Sequence, residues 1–117
     1  MAITQAYSGS ETVTTTEWSL TTDTSYDTGD LKTDTGVFQI VVDLNALAAS
    51  DVFELKVYEK CLSGSTARLV LSVQFANVQS APLWFSPALI LMHGWDATLK
   101  KIAGTDRAID WSIRKSA

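Results

Sequence analysis

The chain has 117 residues, of which 46% are apolar and 19% are charged, and its net charge is −4. This length suits one domain with one core, and the acidic balance argues against a nucleic-acid partner, which requires a basic patch. No apolar run approaches the roughly 18 residues of a membrane-spanning helix, so we expect no membrane contact.

Residues 8–35 form a polar N-terminal segment. They contain 14 Ser or Thr, six acidic residues and one basic residue, Lys32. Threonine favours strands and Asp-Thr-Gly sequences favour turns, so we predict short edge strands joined by polar loops. Disorder is the alternative. Trp18, Leu20 and Tyr26 favour the ordered state because they give the segment apolar groups to bury.

Two alternating strands follow. In residues 37–44 every even position is apolar and the odd positions include Gln39 and Asp43, which predicts one buried face: Phe38, Ile40, Val42 and Leu44. In residues 52–58 the inward positions are Phe53, Leu55 and Val57. The connection, residues 45–51, is too short for a packed helix and predicts one helical turn that crosses from sheet to sheet.

A hairpin is predicted next, with its turn at residues 63–66, Ser-Gly-Ser-Thr. Its second arm, residues 68–75, places on the core face Leu69, Leu71, Val73 and Phe75.

The region 81–92 does not alternate. Pro82 and Pro87 bracket a short strand and suit an edge or a sheet corner. Residues 88–92 are apolar at every position, which predicts a strand covered on both faces, by the fold or by another subunit. Trp84 is out of phase with its apolar neighbours, so we expect it to be exposed and to face a partner protein.

The C-terminal part contains two strands joined by a turn at residues 103–106. Their inward side chains are predicted to be Trp95, Ala97 and Leu99, and then Ile109, Trp111 and Ile113. In total, the pattern gives about eight strands and no long helix. It predicts one all-β domain over residues 1–117, an antiparallel, jelly-roll-like β-sandwich, with a small barrel as the alternative.

No residue pattern indicates catalysis. His93, the only histidine, has no nucleophile and carboxylate placed beside it by the sequence, and is interpreted as a turn residue. Cys61, the only cysteine, cannot form an internal disulfide and is interpreted as a small apolar residue. With one His and one Cys, we expect no structural zinc, no cofactor and no enzymatic activity.

Four aspartates are spaced through the N-terminal segment: Asp23, Asp27, Asp30 and Asp34. Hard cations bind clustered carboxylates, so one interpretation of these aspartates is a weak calcium site. The spacings of four, three and four do not match an EF-hand loop, and solvated turn aspartates are the favoured interpretation.

The N-terminus, residues 1–7, lacks the basic start and apolar stretch of a signal peptide. We therefore expect the protein to stay in a cytoplasm-like compartment, or to leave the cell as part of a particle.

The chain resembles small virion proteins of tailed bacteriophages over nearly its full length. The resemblance is carried by the Thr-rich acidic start, by the strands at 37–45 and 53–60, and by the ending 91–96 with 110–114. In that class, small β-sandwich proteins decorate or cement the capsid shell, usually as oligomers. The resemblance implies a virion protein made in the bacterial cytoplasm, with itself and a capsid shell protein as partners. It supplies no catalytic or interface residues.

Two hypotheses follow for function. The first is a self-associating capsid decoration or cement protein, with a candidate interface at Leu83, Trp84, Phe85, Ile90 and Met92. The alternative is a non-catalytic carbohydrate- or protein-binding module. A large apolar, self-complementary patch would favour assembly, whereas exposed coplanar tryptophans would favour carbohydrate binding.

Overall fold

The chain forms two facing β-sheets of five strands each, seen in a computed structural model that describes residues 2–116. Met1 and Ala117, which the predicted domain includes, lie outside the described residues. Neighbouring strands pair antiparallel throughout. The strands are β1 (Ile3–Val13), β2 (Trp18–Ser19), β3 (Thr24–Ser25), β4 (Gly36–Asp43), β5 (Val52–Glu59), β6 (Arg68–Ala76), β7 (Leu83–Phe85), β8 (Leu89–Leu91), β9 (Trp95–Ala103) and β10 (Arg107–Ser116).

The strand order is that of a jelly roll. The front sheet runs β1-β10-β4-β7, and β8 pairs with β4 beyond the end of β7, so β7 and β8 act as one interrupted edge strand. The back sheet runs β3-β2-β9-β5-β6. Each sheet therefore has four principal strands, if β7 and β8 count as one strand and the short β3 is left out. Most connections between strands cross from one sheet to the other. The predicted all-β antiparallel sandwich is confirmed.

The core lies between the sheets and is built from alternate residues of the long strands, because successive strand side chains point to opposite faces. All the inward residues predicted for β4, β5, β9 and β10 are buried. The largest fully buried side chains include Trp95, Phe38, Phe53, Ile40, Leu55, Leu99, Ile109 and Ile113. The two core tryptophans also satisfy their indole N–H groups: Trp95 donates to the Asp34 carbonyl at 3.1 Å and Trp111 to the Leu20 carbonyl at 2.9 Å.

The predicted hairpin between β5 and β6 is confirmed, with one correction in its second arm. Phe75 is buried, and Leu71 and Val73 pack against the core, but Leu69 is 52% exposed. The cause is a bulge: Val57 pairs with Leu71, whereas Tyr58 pairs with Leu69, so Val70 is an extra residue. An extra residue reverses the alternation beyond it.

The N-terminal segment is ordered and covers one edge of the sandwich. β1 is the edge strand of the front sheet and β3 that of the back sheet, as predicted, although β1 is much longer than the expected short strand. Between β3 and β4 lies a single 3-10 turn, Thr28–Asp30, which is the only helical turn within residues 2–116.

The crossing from β4 to β5 contains no helical turn, so that prediction is wrong. Two consecutive tight turns fill residues 44–51, closed by Leu47 N–H to the Leu44 carbonyl and Asp51 N–H to the Ala48 carbonyl. The Asp51 carboxylate accepts from the Ala48 amide at 2.9 Å. This side-chain hydrogen bond replaces the backbone hydrogen bond that the amide would make in a helical turn.

The same carboxylate joins this crossing to the second one, between β9 and β10. It accepts from the Thr105 amide at 3.0 Å and from Arg107 Nε at 2.7 Å. Gly104 adopts φ +94°, and a Cβ there would collide with Asp51. β9 and β10 lie in different sheets, so residues 103–106 form a corner of the sandwich. Within residues 2–116 no helix has the length and apolarity needed to cross a membrane.

Candidate functional site

The outward face of the front sheet carries several large apolar side chains that are exposed to solvent. Its residues are placed by register: Val37 of β4 pairs with Ile90 of β8, Val41 with Phe85 of β7, and Asp43 with Leu83. Because Phe38, Ile40 and Val42 point into the core, the odd-numbered residues of β4 and their partners point outward. We call five of these residues the apolar strip: Val37, Val41, Leu83, Phe85 and Ile90.

Four members of the apolar strip are exposed to solvent in the single chain. Ile90 is 77% exposed, Leu83 51% and Phe85 44%, and Val37 is also exposed. Only Val41, in the middle, is buried. Met92, in the loop after β8, is exposed as well. Large apolar groups gathered on one outward face mark an interaction surface more often than scattered single residues do.

The other half of this face is polar. β1 and β10 present small or hydrophilic side chains there: Ser8, Ser10, Thr12, Asp110 and Ser112. Arg114 lies between the two halves, with its guanidinium 5.1 Å from the centre of the Phe85 ring. The apolar strip therefore follows the β4, β7 and β8 edge and is bordered by one cation.

Two shallow grooves flank the strip. One, of about 310 Å³, is lined by Val37, Gln39, Ala88 and Arg114 among others. The second, of about 230 Å³, is lined by Val41, Leu83, Asp43 and Asp110 among others. Both lie on the outward face, so the strip combines projecting side chains with depressions beside them.

Trp84 is not part of this surface, which corrects the prediction of its orientation. It pairs with the inward-facing Val42, and its ring packs edge-on against Phe75 with the ring centres 5.2 Å apart. Leu83 and Phe85 occupy the outward positions instead. The prediction failed because Leu83-Trp84-Phe85 is apolar throughout, so composition does not fix which residue faces inward.

For the strand at 88–92, coverage of both faces by the fold itself is wrong, and coverage of one face by another subunit stays a prediction. Leu91 is buried and Leu89 packs against the core, whereas Ile90 is exposed. The strand is therefore covered by the chain on one face only. Of the predicted interface residues, the structure brings Leu83, Phe85 and Ile90 to one outward face, places Met92 in the following loop, and turns Trp84 inward.

The tryptophans do not form an exposed platform in the described chain. Trp95 and Trp111 are core residues, and Trp84 packs on the core. Trp18 is half-buried and donates its indole N–H to Asp23 at 3.0 Å. This arrangement offers no row of coplanar exposed indoles on which a sugar could stack.

The residues considered for catalysis or metal binding are dispersed. Cys61 is exposed at the end of β5, and the His93 amide donates to Glu59 at 3.2 Å. Asp23 binds the Trp18 indole, Asp27 accepts from the Gly29 amide, and Asp34 accepts from the Tyr7 hydroxyl at 2.9 Å. Within residues 2–116, no group of three or more His, Cys, Asp or Glu side chains is arranged to hold a metal ion.

A buried polar network on the back sheet was not predicted from the sequence. Asp96 accepts from the Ser19 hydroxyl at 2.6 Å and from the Thr21 hydroxyl at 2.8 Å. Burial raises the pKa of Asp96, although these hydrogen bonds oppose the shift. Glu17 accepts from the hydroxyls of Tyr58 and Thr98, each at 2.6 Å.

This network fastens the N-terminal segment to the back sheet. Tyr26 stacks on Tyr58 with ring centres 4.8 Å apart, and the Leu20 amide donates to the Ala97 carbonyl. Burial, followed by the bond to Glu17, raises the pKa of Tyr58. Neutral hydroxyls supply the side-chain donors to both carboxylates, and no buried side-chain polar atom in the described chain lacks a partner. These contacts hold residues 17–26 against β5 and β9.

Comparison with known proteins gives no relative: no family model, no curated protein and no solved structure matches this chain.

Proposed function

We propose that this protein is a structural virion component, a capsid decoration or cement protein that self-associates through the outward face of its front sheet. The observation that carries the proposal is the apolar strip, whose members Leu83, Phe85 and Ile90 are exposed on one face. The sequence resemblance to small virion proteins of tailed bacteriophages supplies the virion context.

The free energy gained when apolar side chains leave water supports a partner that covers the apolar strip. Exposed apolar side chains gain roughly 25 cal/mol for each Å² removed from water. A partner that covered about 800 Å² on each side would make an interface of ordinary size. Pro87, between β7 and β8, also disfavours strand addition at this edge, because proline has no amide hydrogen to donate. Contact through the face, rather than through the edge, is the mode that these features favour.

The jelly roll is compatible with this function without proving it. Viral capsid domains use the fold, but lectins and cupins use it too. For this chain the surface favours assembly over carbohydrate binding, since the tryptophans are turned to the core or half-buried and the apolar strip lies along β4, β7 and β8.

Solution mass tests self-association. We expect light scattering of the full chain at micromolar concentration to give a multiple of the 12.7 kDa chain mass. A mass equal to that of one chain at every micromolar concentration measured would contradict the proposal. A glycan array run on the same sample would then test the carbohydrate-binding alternative.

Location in a particle tests the virion role. Antibodies raised against the purified chain are expected to label the heads of intact phage particles that carry its gene, in electron micrographs. Labelling of the infected-cell lysate with none on purified particles would contradict that role.

A further inference from the structure

The outward face of the front sheet has opposite charges at its two ends. Arg114 lies four residues from Asp110 on β10, a separation of about 13 Å along the strand. Asp110 pairs directly with Asp43 of β4, so two carboxylates are placed side by side. Within residues 2–116 none of these three residues belongs to an ion pair.

This pairing is unfavourable in an isolated chain. Like charges directly opposite each other on neighbouring strands destabilise a sheet. The Asp110 carboxylate accepts a hydrogen bond from Ser10, and Asp43 accepts one from the Asn45 amide, but neither contact supplies a positive charge. A cation brought by a partner would relieve the repulsion.

We propose that a second copy of this chain binds this face in an antiparallel arrangement, so that Arg114 of each copy contacts Asp110 and Asp43 of the other. The inference rests on the proposed function and specifies its geometry. The midpoint between Arg114 and Asp110 is Ser112, which pairs with Val41, and Val41 pairs with Phe85. The two-fold axis therefore runs along the row Ser112, Val41 and Phe85.

The apolar strip fits the same axis. Phe85 meets Phe85 of the second copy, because both lie on the axis. Leu83 and Gln39 lie on opposite sides of the axis, so Leu83 of each copy covers the groove of about 310 Å³ that Val37, Gln39 and Ala88 line in the other. One operation thus pairs opposite charges and fills a groove with an apolar side chain.

Self-complementarity is the reason for choosing a second copy as the occupant. In a two-fold interface, residue i contacts residue j and residue j contacts residue i. A face with one cation and two carboxylates on opposite sides of a common centre satisfies this condition. The Arg114 guanidinium lies 5.1 Å from the centre of the Phe85 ring and has no carboxylate partner within residues 2–116, so carboxylates of a second copy can supply its counter-charge. The alternative axis, parallel to the strands and along β10, would place Arg114 against Arg114.

Charge reversal distinguishes these arrangements. In the antiparallel arrangement Arg114→Glu and Asp110→Lys should each weaken self-association by about tenfold or more, because each creates like-charge contacts across the interface. An equimolar mixture of the two variants should associate again, since each then supplies the charge that the other lacks. Sedimentation velocity of the full chains at low salt measures all three samples. Arg68→Glu, which reverses an exposed charge on the back-sheet strand β6, is the matched control and should associate as the wild type does.

The outcomes separate this geometry from the proposed function. Association of the mixture, but of neither variant alone, supports the antiparallel pair. If Arg114→Glu associates as well as the wild type or better, the antiparallel arrangement is wrong while self-association stands. If the wild type is itself monomeric, self-association and this geometry both fail. Circular dichroism of each variant must retain the β signal, and a mixture of folded variants that does not associate also overturns the arrangement.

Discussion

At the scale of single residues, the aromatic side chains between the sheets dominate stability. Phe53 is fully buried, and Phe75 is buried beside Trp84. Truncation of a buried Phe removes its transfer free energy and leaves a cavity, which usually costs about 3–5 kcal/mol.

We therefore expect Phe53→Ala to lower the free energy of unfolding by about 3–5 kcal/mol, measured by urea denaturation. Leu69→Ala is the matched control on the same hairpin. Because the bulge at Val70 turns Leu69 toward solvent, its truncation should cost less than about 1 kcal/mol. Equal losses for both variants would mean that the alternation along β6 is not reversed.

Asp96 gives a residue-scale prediction for pH dependence. Its pKa is raised by burial, so the charged carboxylate is less favourable in the folded state than in the unfolded chain. The stability contributed by this group is present in full below the unfolded pKa of about 3.9, and is lost as pH rises through the higher folded value.

Asp96→Asn should therefore gain stability relative to the wild type as pH rises from about 4 to neutrality. Chemical denaturation at a series of pH values measures this difference. Asp30→Asn, at an exposed position in the 3-10 turn, serves as the control. Parallel stability curves for the wild type and Asp96→Asn would contradict the account of this buried carboxylate.

At the scale of secondary-structure elements, the buried face of a strand could be predicted where apolar and polar side chains alternate along it. β4, β5, β9 and β10 alternate regularly, so their buried faces follow from the two-residue repeat of a strand. β7 and β8 are apolar without interruption, and only their register with β4 sets which residues face inward. The exposed position of Leu69 follows from a bulge, which leaves no mark in the composition of β6.

Contacts between distant segments were also outside the reach of sequence patterns. Asp96 is buried because residues 19–21, more than 70 positions earlier, supply its hydroxyl partners. Asp51 joins two crossings whose proximity depends on the order of strands in both sheets. Such residues look like ordinary polar loop residues until the topology is known.

Asp51 leads to a prediction about these connecting elements. Hydrogen bonds from the Thr105 and Ala48 amides, with help from Arg107, lower the pKa of Asp51 to about 2. A lowered pKa stabilises the folded state above the unfolded value, and this contribution is lost as pH falls toward 2. Asp51→Asn should thus lower the Tm by several degrees at neutral pH, and the gap should narrow below about pH 4. If the difference in Tm between the wild type and Asp51→Asn stayed constant down to pH 2, the charge of Asp51 would not be what holds the two crossings together.

At the scale of the whole molecule, the outward faces of the two sheets differ in what covers them. The network of Asp96 and Glu17 fastens the N-terminal segment onto the back sheet, whereas the outward face of the front sheet leaves Leu83, Phe85 and Ile90 exposed. This asymmetry supports the proposed self-association, because the N-terminal segment covers part of the back sheet while the apolar strip is available to a partner. We infer that the apolar strip is an interface and not a part of the monomer core.

The most direct measurement is the solution mass, with circular dichroism, of three charged variants compared with the wild type. Ile90→Lys is expected to yield folded monomers, because Ile90 contributes to the strip but not to the core. Val78→Lys, which alters an equally accessible apolar residue in the loop after β6, should leave the oligomer intact. Trp84→Glu should unfold or severely destabilise the chain, since Trp84 packs inward against Phe75. If folded Ile90→Lys chains retained the mass of the wild-type oligomer, the apolar strip would not be the interface.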